Sequence, residues 1–325
     1  MLCIYTGRNG HLASVETLHD AEATGALWLD LLNPAPEEVR LIEAHLGIGI
    51  PTLDEMAEIE PSARLYDEDD AQFMTMTVVA NVDGDEPVKV PVTFIVKGST
   101  LLTVRHADPK SFRLYAAKAQ RAGTGLVMSG ETVMFDLLEM LIDRMADTLE
   151  RIGEQADIIS REIFLNKSTS ASKKTRDLQS LIERIGREGD LLTKVRESLV
   201  STSRLVAYYS TRRSPKAPKE NLQRIKQVQR DAASLGDHAI FLSGKINFLL
   251  DATLGLINLE QNQIIKIFSV ASVALLPPTL VASIYGMNFD IMPELHWSFG
   301  YPWALGVMAA SAVIPYLYFK RRGWL

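Results

Sequence analysis

The spacing of apolar positions divides this chain into three regimes. Over residues 1–125, short runs rich in β-branched and aromatic residues alternate with turn and helix signals. CIYTG, ALWLDLL, AQFMTMTVVANV and VKVPVTFIVKGSTLLTVRH predict strands. PAPEEVRLIEAHLG predicts a helix, with Pro36 near its start, acids in its first turn and Gly47 as its stop. DPKSFRLYAAKAQRAG predicts a second helix, and DGDEP (Asp83 to Pro87) a turn between strands.

From about Gly130 the period becomes helical. Leu138, Leu141, Ile142, Met145, Leu149 and Ile152 follow the i, i+3, i+4, i+7 template until NKSTSAS interrupts it. Leu178, Leu181, Ile185, Leu192, Val195 and Leu199 mark a second helix, which the two prolines of TRRSPKAP end. In a third, Val228, Ala232, Leu235, Ala239, Leu242, Ile246 and Leu249 alternate steps of four and three. That heptad seam requires partner helices. A helix running unbroken from 219 to 285 would be roughly 100 Å long at ~1.5 Å per residue, too long for one globular domain to enclose.

The third regime is two charge-free apolar runs, Ile267–Tyr285 and Tyr301–Phe319. Each is 19 residues, within the roughly 17–25 that cross a bilayer. Tyr285, Trp297, Tyr301 and Trp303 fall where an interfacial aromatic belt would place them. Lys320, Arg321 and Arg322 follow the second run, whereas the loop between the runs has no Lys or Arg. The positive-inside rule then puts both termini in the cytoplasm, as expected of a multi-pass membrane protein.

The predicted fold is thus an α+β cytoplasmic domain, with a mixed sheet and helices, followed by a long stalk helix and two C-terminal transmembrane helices. Its parts are an α/β domain over 1–125, antiparallel helices over 126–215, a stalk over 216–264 and a first span over 265–285. A periplasmic loop over 286–300, a second span over 301–319 and a basic tail over 320–325 follow.

Charge sharpens this division. Of 34 basic and 40 acidic residues, four and two lie in 261–325, so residues 1–260 carry −8 against −6 for the whole chain. An acidic body excludes nucleic acid as the natural partner and suits cations. Cys3 is the single cysteine, so there is no disulfide framework, and MLCIYTGRNG is not a signal peptide. No G-x-S-x-G, Walker A, H-E-x-x-H or C-x-x-C motif occurs, and His11, His19, His45, His106, His238 and His296 are scattered. An enzyme and a catalytic cofactor are therefore not expected. Asp67–Asp70 and Asp83–Glu86 read as solvated turns before metal sites.

The first span carries the chemistry. Ser272, Thr279, Ser283 and Gly286 share a helical face with Ile265, Phe268 and Leu276. Such a stripe either packs helices closely or lines a water-filled path. We expect it to continue the heptad seam, and it leads to Asn288, whose amide is costly in lipid but useful at a pore mouth. Phe268 and Leu276 could form apolar rings that gate by dewetting. Two spans cannot enclose a pore, so a channel requires a homo-oligomer. Asp290 and Glu294 beyond it would gather cations by charge or simply solvate the loop.

YGMNFDIMPELHWSFGYPWALGVMAASAVIPYLYFKRRGWL closely resembles the C-terminal signature of the CorA family of magnesium channels. The Gly286-Met287-Asn288 triplet, Met292-Pro293-Glu294-Leu295 and the closing Tyr-Phe-Lys-Arg-Arg agree with it in order and spacing, and LLPPTLVASIYGMN is similar to the pore helix of its enterobacterial branch. The resemblance is tight over 265–325 and architectural over the first 260 residues. It implies a homopentamer with a funnel-shaped cytoplasmic domain, Mg²⁺ as substrate, and Co²⁺ and Ni²⁺ tolerated. It implies an outer selectivity ring at Gly286, Met287 and Asn288, a second polar ring at Thr279, further lining at Ser272 and Ser283, and constrictions at Leu276, Phe268 and Ile265. It also implies regulatory intracellular Mg²⁺, for which Asp251 is the best candidate ligand. A zinc transporter of the ZntB type shares the architecture, although Met287 within the triplet leans towards magnesium. A non-conducting, membrane-anchored metal sensor is the alternative from another class.

Overall fold

The computed structural model describes residues 1–8, 10–18, 25–84, 86–121, 129–165, 171–212, 219–287 and 292–324, without the side chains of 171–177, 219–220 and 294–295. The chain divides into two compact units. One comprises Met1–Lys167 and Ser180–Leu249, the other Ser168–Gln179 and Leu250–Leu325.

The first unit is built on a seven-stranded mixed sheet. Its strands are β1 (Leu2–Arg8), β2 (His11–Val15), β3 (Ala26–Leu32), β4 (Leu65–Glu68), β5 (Ala71–Ala80), β6 (Val88–Lys97) and β7 (Thr100–Arg105). They lie in the order β2-β1-β3-β7-β6-β5-β4. Only β3 and β7 pair in parallel, with Asp30 beside Thr103 and Leu32 beside Arg105. Because alternate side chains point to opposite faces, β3 and β7 supply both cores at once. Leu29, Leu31, Leu102 and Val104 pack on one face with Ile42 of α1 (Pro36–Leu46) and Met56 of α2 (Leu53–Ala57). On the other face Trp28 meets Tyr115, and Phe94 meets Phe112, both from α4 (Lys110–Ala119). The short α3 (Pro61–Arg64) completes the first half.

The long helices begin with α5 (Gly130–Leu165), which is seated by a close backbone approach. The Gly130 amide donates to the Ser99 carbonyl at 2.7 Å. A Cβ added at Gly130 would sit 2.3 Å from the Leu101 nitrogen and 2.6 Å from the Thr100 carbonyl carbon. Backbone cannot yield as a side chain can, so we expect Gly130→Ala to cost about 1–3 kcal/mol through overpacking. Gly186, in the interior of α6 (Ala171–Arg212), has open space around its Cβ position. Its alanine variant is expected to be neutral or up to ~1 kcal/mol more stable. Thermal melting of both variants in detergent checks the contrast, and equal melting temperatures would refute it.

The last two helices are α7 (Lys219–Tyr285) and α8 (Gly300–Arg321). The seam of α7 is buried at Val228, Ala232, Ala239, Leu242, Ile246 and Leu249. Its partners belong to the same chain. The Cβ position of Gly153 on α5 lies 3.6 Å from Leu242, and that of Gly189 on α6 lies 3.6 Å from Ile246. Lys245 donates to Asp157 of α5 at 2.7 Å. The heptad seam therefore describes packing within one protomer and is not evidence for an oligomer. The acid-rich turns also have internal duties. Asp67 accepts from the Tyr208 hydroxyl at 2.8 Å, and Asp83 is paired with Lys110 and Arg144. The Arg144 guanidinium beside Asp83 holds its carboxyl below the usual carboxylate range.

Candidate functional site

Helix α7 passes through Pro277 and Pro278 without ending. Each proline lacks the N–H that would reach back four residues, so the carbonyls of Val273 and Ala274 lose their helical donors. Between residues 265 and 287 one face of the helix is shielded. Val270 is buried, and Ala274, Pro277, Pro278, Val281 and Tyr285 are half-buried. On α8 a matching stripe of Ala304, Val307, Met308, Ser311, Ala312, Pro315 and Phe319 is buried or half-buried.

The stripe singled out in the sequence lies on the other side of α7. Ile265, Phe268, Ser272, Leu276, Thr279, Ser283 and Gly286 are all exposed. At 100° per residue their mean direction is roughly 160° from the shielded face. Ile265, Phe268 and Leu276 are 61%, 68% and 66% exposed, an apolar surface that a single chain leaves uncovered. The stripe does not continue the seam. Ser272 is about 140° round the helix from Leu249, because the seam keeps its phase into the shielded face while the stripe runs opposite to it. This correction makes the stripe available to other copies of the chain.

Its hydroxyl chemistry is defined. Thr279 Oγ1 donates to the Leu275 carbonyl at 2.8 Å. With its proton committed to the helix, the oxygen presents lone pairs outward and acts as an acceptor. A hydrated cation presents water hydrogens, and an acceptor is what those hydrogens need. At the end of the stripe, the Gly286 amide donates to the Ala282 carbonyl at 2.9 Å and that of Met287 to the Ile284 carbonyl at 3.3 Å, closing the helix. Met287 is exposed. Asn288 and Asp290 lie outside the described residues, as does the side chain of Glu294, which belongs to the short 3₁₀ turn Pro293–His296. Trp297 and Trp303 approach to 6.3 Å between ring centroids at the start of α8.

Asp251 is exposed on α7, and no group of three or more His, Cys, Asp or Glu side chains suited to a metal occurs among the described residues. At the opposite end of the spans, sequence reasoning used Lys320–Arg322 only for orientation and missed the part played by Lys266. Lys266 lies over the Trp324 ring at 6.0 Å, and Arg322 over Tyr318 at 5.5 Å. The signal was present, since Lys266 is the only charge between Gln261 and Asn288 and shares the phase of Val270.

Both long apolar helices satisfy the length and composition of a membrane span, and only 6% of the most apolar stretch of each is buried. That exposure separates them from the core helices of a water-soluble fold.

The profile of a family described as "CorA-like Mg2+ transporter protein" matches residues 23–321. The chain is 37% identical over 325 residues to a magnesium transport protein CorA of Pasteurella multocida, covering 100% of both. It is 36% identical over the same span to the corresponding protein of Escherichia coli, again covering 100% of both. Among solved structures, the complete CorA magnesium transporter of Methanocaldococcus jannaschii superposes with a TM-score of 0.76 at 18% identity, over 100% of this chain and 99% of that one. The ZntB cytoplasmic domain of Vibrio parahaemolyticus superposes with a TM-score of 0.54 at 11% identity, over 79% of this chain and 97% of that one. At these identities the structural matches establish the fold alone: a mixed sheet with helices, a long helix and two apolar C-terminal helices.

Proposed function

Because this chain belongs to the family of CorA-like Mg²⁺ transporter proteins, we propose that it conducts Mg²⁺ across the bacterial inner membrane as a homo-oligomeric channel. The observation that carries the reading is the exposed stripe of Ile265, Phe268, Ser272, Leu276, Thr279, Ser283 and Gly286, set opposite the shielded face of α7. Copies arranged about an axis would turn that face inward, with α8 outside. The pentamer of the family is the assembly we propose.

Mg²⁺ dehydrates reluctantly, so the pathway has to pass it with its water. Neutral acceptors such as Thr279 Oγ1, Ser272, Ser283 and an outer ring at Gly286, Met287 and Asn288 would hydrogen-bond to that water without stripping it. Leu276, Phe268 and Ile265 would form the narrow apolar section, which closes by losing its water. Asp290 and Glu294 would concentrate cations at the periplasmic mouth. Both termini then lie in the cytoplasm, with residues 286–300 outside. Two charges entering at −100 mV gain about 4.6 kcal/mol at ~2.3 kcal/mol each, so no nucleotide is required. Intracellular Mg²⁺ held between copies, with Asp251 as one ligand, would close the pore. Co²⁺ and Ni²⁺ would pass more weakly.

The test is cation flux into liposomes bearing the purified chain. We expect Mg²⁺ uptake driven by an inside-negative potential, suppressed by millimolar-range Mg²⁺ on the side of the sheet domain. Zn²⁺ uptake exceeding Mg²⁺ uptake would instead favour a zinc transporter. Absence of any cation flux from well-incorporated protein would favour a non-conducting sensor.

A further inference from the structure

Four cations gather at one end of the α7–α8 pair without a carboxylate partner among the described residues: Lys266, Lys320, Arg321 and Arg322. All are exposed. A specific helix ending carries Lys320, Arg321 and Arg322 and sets its aromatic residues against Lys266. Gly323 adopts φ 71°, a left-handed conformation that suits glycine. The Gly323 amide donates to the Lys320 carbonyl at 3.2 Å and that of Trp324 to the Phe319 carbonyl at 3.1 Å. This pair of bonds is a Schellman ending, and its usual apolar contact is present, with the Trp324 and Phe319 rings 5.1 Å apart. The turn folds Trp324 back on α8, where its ring faces the Lys266 ammonium of α7 at 6.0 Å. Arg322 lies over Tyr318, whose ring is 5.5 Å from Phe319. Lys266, Trp324, Phe319, Tyr318 and Arg322 thus form one continuous chain of contacts joining the two spans.

The position of Lys266 decides what this cluster serves. It lies one turn before Val270, at the edge of the shielded face of α7 and roughly 120° from the mean direction of the polar stripe. Its charge faces α8 and the surrounding membrane, not the axis. At that level the abundant partner for unpaired ammonium and guanidinium groups is lipid phosphate, worth roughly 1 kcal/mol per Lys or Arg near an anionic surface. The aromatic rings fit the same depth, with apolar bodies in the headgroup boundary.

We propose that Lys266, Lys320, Arg321 and Arg322, organised by the Trp324 turn, form a binding site for the phosphate headgroup of an anionic lipid, which clamps α7 to α8 at the level of the inner leaflet. The site rests on the reading of these helices as membrane spans, and it is independent of whether the stripe conducts.

Full-length protein is equilibrated in mixed micelles of equimolar phosphatidylglycerol and phosphatidylcholine, and the retained lipid is quantified after gel filtration. The wild type is expected to enrich phosphatidylglycerol by about fivefold, diminishing with salt. Lys266→Gln/Arg322→Gln should lose more than half of that enrichment, and the single tail variant Arg322→Gln a smaller part of it. Arg8→Gln/Arg40→Gln, an equal loss of charge on the sheet domain, should retain it. Equal enrichment in the wild type and the Lys266→Gln/Arg322→Gln variant overturns the site. Displacement of the lipid by inorganic phosphate, but not by sodium chloride of equal ionic strength, would overturn the lipid assignment in favour of a free anion. Flux that fails while enrichment persists removes the transport reading alone. A chain that does not incorporate into vesicles removes the membrane reading with it.

Discussion

Replacing Asn288 by alanine is expected to cut Mg²⁺ uptake by at least about tenfold while the chain still assembles in the membrane. The site follows from where α7 stops. The Gly286 amide bonds back to Ala282, and the exposed polar stripe ends at that turn, two residues before Asn288. On the proposed pathway an ion entering there would still hold its inner water shell, and an amide would offer that shell both an acceptor and donors. A hydrogen bond to a charged group contributes roughly 1.5–3 kcal/mol. Losing about 1.4 kcal/mol at the entry step already slows flux tenfold. A ring of equivalent amides would lose one such bond per copy, so the loss compounds. Gel filtration in detergent should show the same oligomer as the wild type, and liposome flux should show the deficit. Wild-type flux from Asn288→Ala would remove the residue from the selectivity ring.

The sheet was legible where burial forces a pattern and obscure where it does not. The central strands β3, β5, β6 and β7 are buried on both faces, so ALWLDLL, AQFMTMTVVA and VKVPVTFIVK read as strands without knowledge of their neighbours. β2 (HLASV) and β4 (LYDE) are the two edges of the sheet, short and partly solvated, and their composition need not be apolar. The small helix α2 had a signal that could have been read. Thr52 and Glu55 cap it reciprocally, with the Thr52 amide donating to Glu55 Oε2 at 2.7 Å. The parallel pairing of β3 with β7 joins segments some seventy residues apart, and no local pattern encodes it.

The stripe could be picked out from its residue types, but its direction was misjudged. A heptad seam states that a helix has partners and is silent on whose they are. The Leu242–Gly153 and Ile246–Gly189 approaches place those partners within the chain. The phase of the stripe, by contrast, could have been counted, since 23 residues separate Leu249 from Ser272 and 3.6 per turn carries them to different faces. The corrected direction strengthens the transport reading. A stripe on the seam face would be covered by the chain's own helices, whereas the observed one is free to meet other copies.

Asp30→Ala is expected to lower the stability of the sheet domain by about 3–5 kcal/mol. Asp30 and Arg105 sit on the parallel pair at the centre of the sheet, with side chains 4% and 6% exposed. The guanidinium grips the carboxylate as a fork, Nη2 to Oδ2 at 2.7 Å and Nε to Oδ1 at 3.0 Å. Thr103 Oγ1 also donates to Oδ1 at 2.7 Å and accepts from Trp28 Nε1 at 2.9 Å, so the carboxylate terminates a buried chain of donors. Arg105 further lies over the Phe112 ring at 4.7 Å and donates to Asp108 at 2.6 Å. Removing Asp30 leaves Arg105 with the partly exposed Asp108 as its one carboxylate, beside the Ala107 carbonyl, and leaves Thr103 with only the distant Leu29 carbonyl at 3.5 Å. Most of the cost is that of stranding a buried charge, not of losing an attraction. The double variant Asp30→Val/Arg105→Met should therefore recover much of the loss, because an apolar pair of similar volume needs no desolvation. Chemical denaturation of the three proteins, followed by far-ultraviolet circular dichroism, measures both effects. A domain of ordinary stability has roughly 5–15 kcal/mol to lose, so the single variant should also reach the membrane in reduced amount. Asp30→Ala unfolding at the wild-type midpoint, or a double variant weaker than the single, would show that the buried fork does not hold the centre of the sheet.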